Sequence, residues 1–248
     1  MSEGDGAAAE ALPPRMTIAA MGDLHVHEGQ SAPWRDIFVE VSRCARVLAL
    51  CGDLTDLGRP SEARLLAEEL KACTIPVVAV LGNHDYECGH VDEVREILRG
   101  TGMHLLDGTS CEIDGVGFVG VKGFCGGFGR HMLGAFGEPA IKTFVSETMD
   151  EAMRLENAMR RVASRRAVVL LHYAPVLDTV VDEPPEILPF LGSSRLAETI
   201  DRFTVSAVLH GHAHRGRYQG RTPGGAPVYN VAAHIAKPNG KAYALIEV

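Results

Sequence analysis

Five short clusters of Asp, Asn and His recur along this chain, and each directly follows an apolar run. Gly22-Asp23-Leu24-His25 follows residues 17–21, and Gly52-Asp53-Leu54-Thr55-Asp56 follows residues 47–51. Gly82-Asn83-His84-Asp85 follows residues 77–81, His172 follows residues 167–171, and His210-Gly211-His212-Ala213-His214 follows residues 205–209. These groups offer carboxylate oxygen, amide oxygen and imidazole nitrogen but no thiolate, a donor set suited to Mn, Fe or Zn rather than to an iron–sulfur cluster. They exceed what one tetrahedral zinc takes, and roughly seven donors fit two ions that share a carboxylate. Gly22, Gly52, Gly82 and Gly211 each precede a polar residue of a cluster, where a missing Cβ lets the backbone turn and lets ions approach. Singly, each cluster has a plainer explanation: a loop Asp and His, a Gly-Asn turn, a satisfied core histidine, a chance His-x-His. Their common place after an apolar run is what points to one site.

The apolar runs are strand-length, rich in aliphatic residues and show little alternation, as expected of strands buried on both faces. Helix-like segments separate them at residues 34–46, 61–72, 91–99, within 139–166 and at 194–203. Strand alternating with helix predicts an α/β fold with at least one largely parallel sheet, and in such sheets ligands bind beyond the carboxyl ends of the strands. Residues 111–114 and 117–122 flank Gly115 and predict a hairpin, while 227–232 and 242–248 read as closing strands, so two packed sheets are expected. Along 139–166, Phe144, Met149, Met153 and Leu155 form a stripe expected to face the core rather than a partner.

With 248 residues, 46% of them hydrophobic, the chain can bury one sizeable core. Residues 1–15 are small, polar and Pro-containing and read as a disordered tail without the basic start and apolar core of a signal peptide, leaving residues 16–248 as a single domain. No apolar run approaches a membrane span. The formal net charge of −8 argues against a general nucleic-acid-coating role, although bound cations can still make an acidic protein's site attractive to anions. Six cysteines with no Cys-x-x-Cys spacing are expected to be reduced, which predicts a cytoplasmic location.

The order Asp-x-His, Gly-Asp-x-x-Asp, Gly-Asn-His-Asp, His, Gly-His-x-His, running from Asp23 to His214, resembles the calcineurin-like metallophosphoesterase superfamily. The resemblance implies a four-layer αββα sandwich, two mixed β-sheets face to face with helices outside. It implies one metal ion on Asp23, His25 and His214, a second on Asn83, His172 and His212, and Asp53 bridging them. His84 would face the phosphate, with Asp85 orienting its ring and Asp56 in support. The implied reaction is hydrolysis of a small phosphodiester or phosphomonoester by a metal-bridging hydroxide, with His84 stabilising charge on the equatorial phosphoryl oxygens and available to protonate the leaving oxygen. The alternatives are a non-catalytic interaction scaffold on the same fold, a nuclease or a protein phosphatase. The complete ligand set argues against the first and the lack of a basic stripe against the second.

Outside the motifs, the glycine-rich residues 120–137 carry Lys122, Arg130 and His131. These are candidate substrate contacts on a mobile lip, or else part of a connection packed by its own phenylalanines. The acidic stretch that begins 178–194 leans slightly toward a diester. His27 could face the site or solvent, and His210 could support His212 from the same strand. His90, His104, His131 and His234 read as ordinary loop histidines. The sequence leaves the oligomeric state open.

Overall fold

A computed structural model of the chain describes residues 15–29 and 31–248, so the tail expected over residues 1–15 lies, apart from Arg15, outside the described residues. The first three apolar runs form β1 (Thr17–Met21), β2 (Val47–Cys51) and β3 (Val77–Val80), all parallel, with Ile18 opposite Val47 and Leu48 opposite Val77. The short β4 (His104–Leu105) extends them, and β11 (Ala244–Glu247) closes the other edge antiparallel to β1. Side chains alternate across this sheet because successive Cβ atoms point to opposite faces. Ala19, Met21, Leu48, Leu50 and Ala79 pack with Phe38, Val41, Leu66, Val94 and Leu98 of α1 (Arg35–Cys44), α2 (Pro60–Leu70) and α3 (Val91–Arg99). Ile18, Ala20, Val47, Ala49, Val78 and Val80 face the other way.

They meet the second sheet. Its order is β5 (Thr109–Ile113), β6 (Val116–Gly120), β7 (Arg166–Leu170), β8 (Ala207–His210), β10 (Pro227–Asn230) and β9 (Gln219–Arg221). The four inner strands are parallel and the two edges antiparallel. Val116, Phe118, Val168, Leu170, Ala207 and Leu209 fill the space between the sheets. Full burial of such side chains stabilises the fold by about 1.5–3 kcal/mol each for the larger ones. The far face carries Val119, Val169, Leu171, Val208 and Val228 against Leu155, Leu196 and Ile200 of α4 (Pro139–Met159) and α6 (Ser194–Ile200). The layers are therefore helix, sheet, sheet, helix, and both sheets are mixed, as the resemblance implied.

Local chemistry sets the boundaries. Asp114 (φ 47°) and Gly115 (φ 76°) turn the β5–β6 hairpin in two residues, both in the left-handed region that such a turn demands. Pro60 and Pro139 open α2 and α4 at the first helical position, where a missing N–H costs nothing. Three elements go beyond the sequence expectation: β4, β9 and the one-turn α5 (Leu188–Leu191). They are so short that they owe their form to tertiary pairing rather than to a pattern. The α4 stripe is split: Leu155 is buried, whereas Met149 and Met153 are 40% and 52% exposed because α4 presents them away from the sheet. All six cysteines are free thiols, and Cys51 is fully buried.

Candidate metal centre

The loops that leave β1, β2, β3, β7 and β8 meet at one edge of the sandwich, and backbone hydrogen bonds zip them together. Asp23 N donates to Gly52 O (2.9 Å), His25 N to Asp53 O (3.0 Å) and Gly211 N to His172 O (3.2 Å). Asp23 (φ 57°), His25 (φ 45°), Asp53 (φ 48°) and His212 (φ 70°) sit in the left-handed region, as four of the six non-glycine residues that do so in the described chain. Such conformations cost on the order of 1–3 kcal/mol each and persist where the surroundings hold them. Here they aim four polar side chains into one space.

Three groups of ligand atoms result, each with its atoms within 4.8 Å of one another: Asp23, His25 and His214; Asp53, His172 and His212; and His25, Asp53 and His84. Asp53 links the sets. Its Oδ2 lies 3.9 Å from His25 Nε2 and its Oδ1 3.3 Å from His172 Nε2. Asn83 Oδ1 stands 2.9 Å from the same His172 nitrogen, and Asp23 Oδ1 lies 3.0 Å from His214 Nε2. Asp23 also accepts from His212 N, and Asp53 from His84 N.

The glycines work by close approach. A Cβ on Gly82 would fall on Asp53 Oδ1, one on Gly52 on the His172 ring, and one on Gly211 on Asp23 Oδ2. The cradle is therefore closed to any larger residue at these positions. Together with an all N and O donor set, it fits two divalent cations.

The electrostatics follow from burying charge. Burial works to lower the His172 pKa, but the adjacent Asp53 carboxylate outweighs it and lifts it to about 9. Burial likewise opposes ionisation of Asp53, yet His172, by charge and hydrogen bond, holds its carboxyl far below the ordinary range. Burial, reinforced by the charge on His172, pushes His212 down to about 4. It also lowers His25. The hydrogen bond to Asp23 raises His214.

Asp85 does not orient the His84 ring, as the resemblance implied it would. The His84 ring is held by Asp56, whose carbonyl oxygen lies 2.6 Å from Nδ1, leaving Nε2 as the atom that can address a ligand. Asp85 is wholly buried and accepts from Gly82 N, Leu54 N, Thr55 N and Thr55 Oγ1 at 2.6–3.2 Å. Asp85 therefore ties the β2 and β3 loops together and shapes the centre through the backbone. Burial, with repulsion from Asp53, raises its pKa to about 6. The Asp56 carboxylate stands 3.5 Å from His25 Nδ1, a supporting position.

A cavity of about 500 Å³ opens at this edge, lined by Asp23, His25, His84 and His214 together with His27, Pro33, Trp34 and His234. Arg130 and His131 are not among its walls. They line a second cavity of about 600 Å³ with Leu177, Asp178 and Arg221. Lys122 turns inward: its Nζ donates to Gly123 O (2.8 Å) and lies about 5–6 Å from the ring centres of Tyr86, Phe124 and Tyr173. His210 is fully buried at the end of β8, near Thr179 Oγ1 (2.8 Å), so it secures the loop after β7 rather than His212.

His234, expected to be an ordinary loop residue, stacks on His214 with centroids 4.6 Å apart and planes at 23°. The signal is positional: β10 runs parallel to β8, so the loop after it reaches the same edge. Gly22 N donates to Val231 O (3.0 Å) and Ala233 N to Gly22 O (2.9 Å), fixing that loop against the Asp23 cluster. Tyr173, 4.5 Å from His212 between ring centres, is a second residue that sequence reasoning misses; only its place after His172 hints at it.

The sequence matches the family model for calcineurin-like phosphoesterases over residues 16–216. The chain belongs to this family. No curated protein matches the sequence. Among solved structures, it resembles the Thermus thermophilus protein TT1561 (TM-score 0.53, 17% identity, 88% of this chain and 90% of that one). It also resembles the purple acid phosphatase PPD1 from yellow lupin seeds (TM-score 0.54, 10% identity, 84% of this chain and 38% of the longer plant enzyme). At these identities the likeness shows the fold.

Proposed function

We propose that this phosphoesterase-family chain hydrolyses a small phosphodiester or phosphomonoester at a pair of divalent transition-metal ions, Mn, Fe or Zn. Asp23, His25 and His214 would hold one ion, Asn83, His172 and His212 the other, and Asp53 both. The observation that carries this reading is Asp53, a buried carboxylate with one oxygen toward each group of histidines. When bound, the ions supply Lewis acidity toward the phosphoryl oxygens and an acidified water as nucleophile.

The chain's own residues do the rest. Asp56 O accepts from His84 Nδ1, so Nε2 is presented to the substrate, where the doubly protonated ring would donate to a phosphoryl oxygen or give its Nε2 proton to the leaving oxygen. Asp85 keeps Gly82 and Thr55 in register, which keeps Asp53 and Asn83 in place. Only two carboxylates, Asp23 and Asp53, belong to the proposed ligand set, so two divalent cations leave the centre electropositive and attractive to an anionic ester. Among the described residues no helix is long and apolar enough to cross a membrane, and six free thiols suit a reducing compartment such as the cytoplasm.

The test is hydrolysis of matched chromogenic monoester and diester substrates by metal-stripped protein, before and after Mn²⁺ is added, with Asp53→Asn alongside. Metal-dependent turnover in the wild type alone is expected, and the faster ester gives the class. Turnover that ignores both the metal and Asp53 would refute the reading.

A further inference from the structure

The outer wall of the cavity over the metal centre has a chemistry of its own. Trp34 is the chain's single tryptophan. It stands at the head of α1, with its backbone N donating to Glu69 Oε2 (2.7 Å) and its O accepting from Phe38 N (2.9 Å), and its ring packs on the core beneath that helix. Pro33 precedes it, and Ala32 (φ 41°) holds the strained turn that brings both to the cavity. The same cavity is lined by His27 and the exposed His234, the latter flat against His214. The wall thus combines an indole, a proline and two imidazoles. Among the described residues that line the cavity there is no Lys or Arg.

A leaving group that extends from the ligand groups into this cavity meets Trp34 and His234, which line it together with His25, His84 and His214. Flat rings favour a flat ring, by stacking and edge contacts, and imidazole nitrogens offer hydrogen bonds to its edge heteroatoms. We propose that Trp34 and His234 form a leaving-group subsite selecting phosphate esters of a planar aromatic or heteroaromatic alcohol. This rests on the phosphoesterase reading of the centre but assigns residues that lie outside the metal-ligand motifs.

Because Trp34 is the only indole, its fluorescence reports occupancy directly, without turnover or metal. Metal-stripped full-length protein is titrated with phenol and with adenosine, and with cyclohexanol and ribose as non-planar controls. Saturable change with phenol or adenosine, at least about 10-fold stronger than with the controls, is expected. A response to adenosine alone identifies a nucleoside source, and to phenol as well a simpler aryl one. His234→Ala, at an exposed position outside the core, should weaken the ring response about 5-fold or more and leave the control response unchanged. Trp34→Phe, followed by calorimetry, should keep the preference. Equal responses to planar and non-planar probes, or none to either ring, overturn the proposal. Metal-dependent ester hydrolysis is measured in parallel: its survival alongside such a result would leave the phosphoesterase reading standing, and its loss alongside a clear ring response would sink that reading instead.

Discussion

Gly82→Ala is a small change with a large expected consequence. Gly82 does not sit at positive φ, so alanine meets no backbone strain there, and the whole effect comes from where its Cβ goes. That carbon would land on Asp53 Oδ1 and Asp53 N. Asp53 is pinned by His84 N at 2.9 Å and by its own left-handed backbone, so it has little room to yield. Overpacking of this kind costs about 1–3 kcal/mol of stability. A carboxylate displaced by about 1 Å can lower a rate by roughly 100-fold. Urea unfolding of the metal-stripped variant should show the first, and kcat with saturating Mn²⁺ the second. Gly134→Ala is the control, since its Cβ would meet nothing within 4 Å and its φ is ordinary. If Gly82→Ala binds metal and turns over like the wild type, Asp53 does not stand where the geometry puts it.

Three further outcomes are expected. His84→Ala should slow an ester with a poor leaving group by about 100- to 10,000-fold and one with a good leaving group far less, in steady-state assays; equal losses would remove the proton-donor role. Arg130→Ala should leave KM and kcat unchanged for every ester tested, because Arg130 lines the other cavity; a raised KM would restore it as a substrate contact. His210 sets a pH dependence of stability: burial pushes its pKa from the ordinary 6.5 to about 4. Between those values the unfolded chain takes up a proton that the folded chain refuses, so this contribution is complete above pH 6.5. It falls as pH drops toward about 4, by about 3 kcal/mol at ~1.4 kcal/mol per pH unit. Denaturant midpoints of metal-stripped wild type and His210→Gln across about pH 4–7 should differ in slope accordingly, and parallel slopes would refute it.

Much of the fold and of the centre is legible in the sequence, and for one physical cause. β2 is wholly enclosed and β1 is enclosed apart from Thr17, so their apolar runs can be read to the residue, and the ligand clusters announce themselves because each starts where such a run stops. The hairpin at Asp114-Gly115 is legible from its turn chemistry. Contacts between segments far apart in the chain are not. Nothing near His234 says that Val231 and Ala233 pair with Gly22. Nothing near Trp34 says that a loop in left-handed conformation at Ala32 carries it to the cavity. Asp85 follows His84 directly, which invites a side-chain pairing, but the 3₁₀ turn at His84–Tyr86 sends the two side chains to different partners. Lys122 in a glycine-rich loop suggests an exposed cation, whereas three aromatic rings and a carbonyl draw its ammonium inward.

At the centre of the proposed chemistry, one carboxylate, Asp53, joins two cation sites. The most direct test is the number of ions bound per chain, measured by elemental analysis after Mn²⁺ or Zn²⁺ is added to metal-stripped protein and the excess removed. Two ions in the wild type and one or none in Asp53→Asn, with the variant still folded by circular dichroism, is the predicted result. Two ions retained in Asp53→Asn, or a wild type that takes up only one, would contradict it.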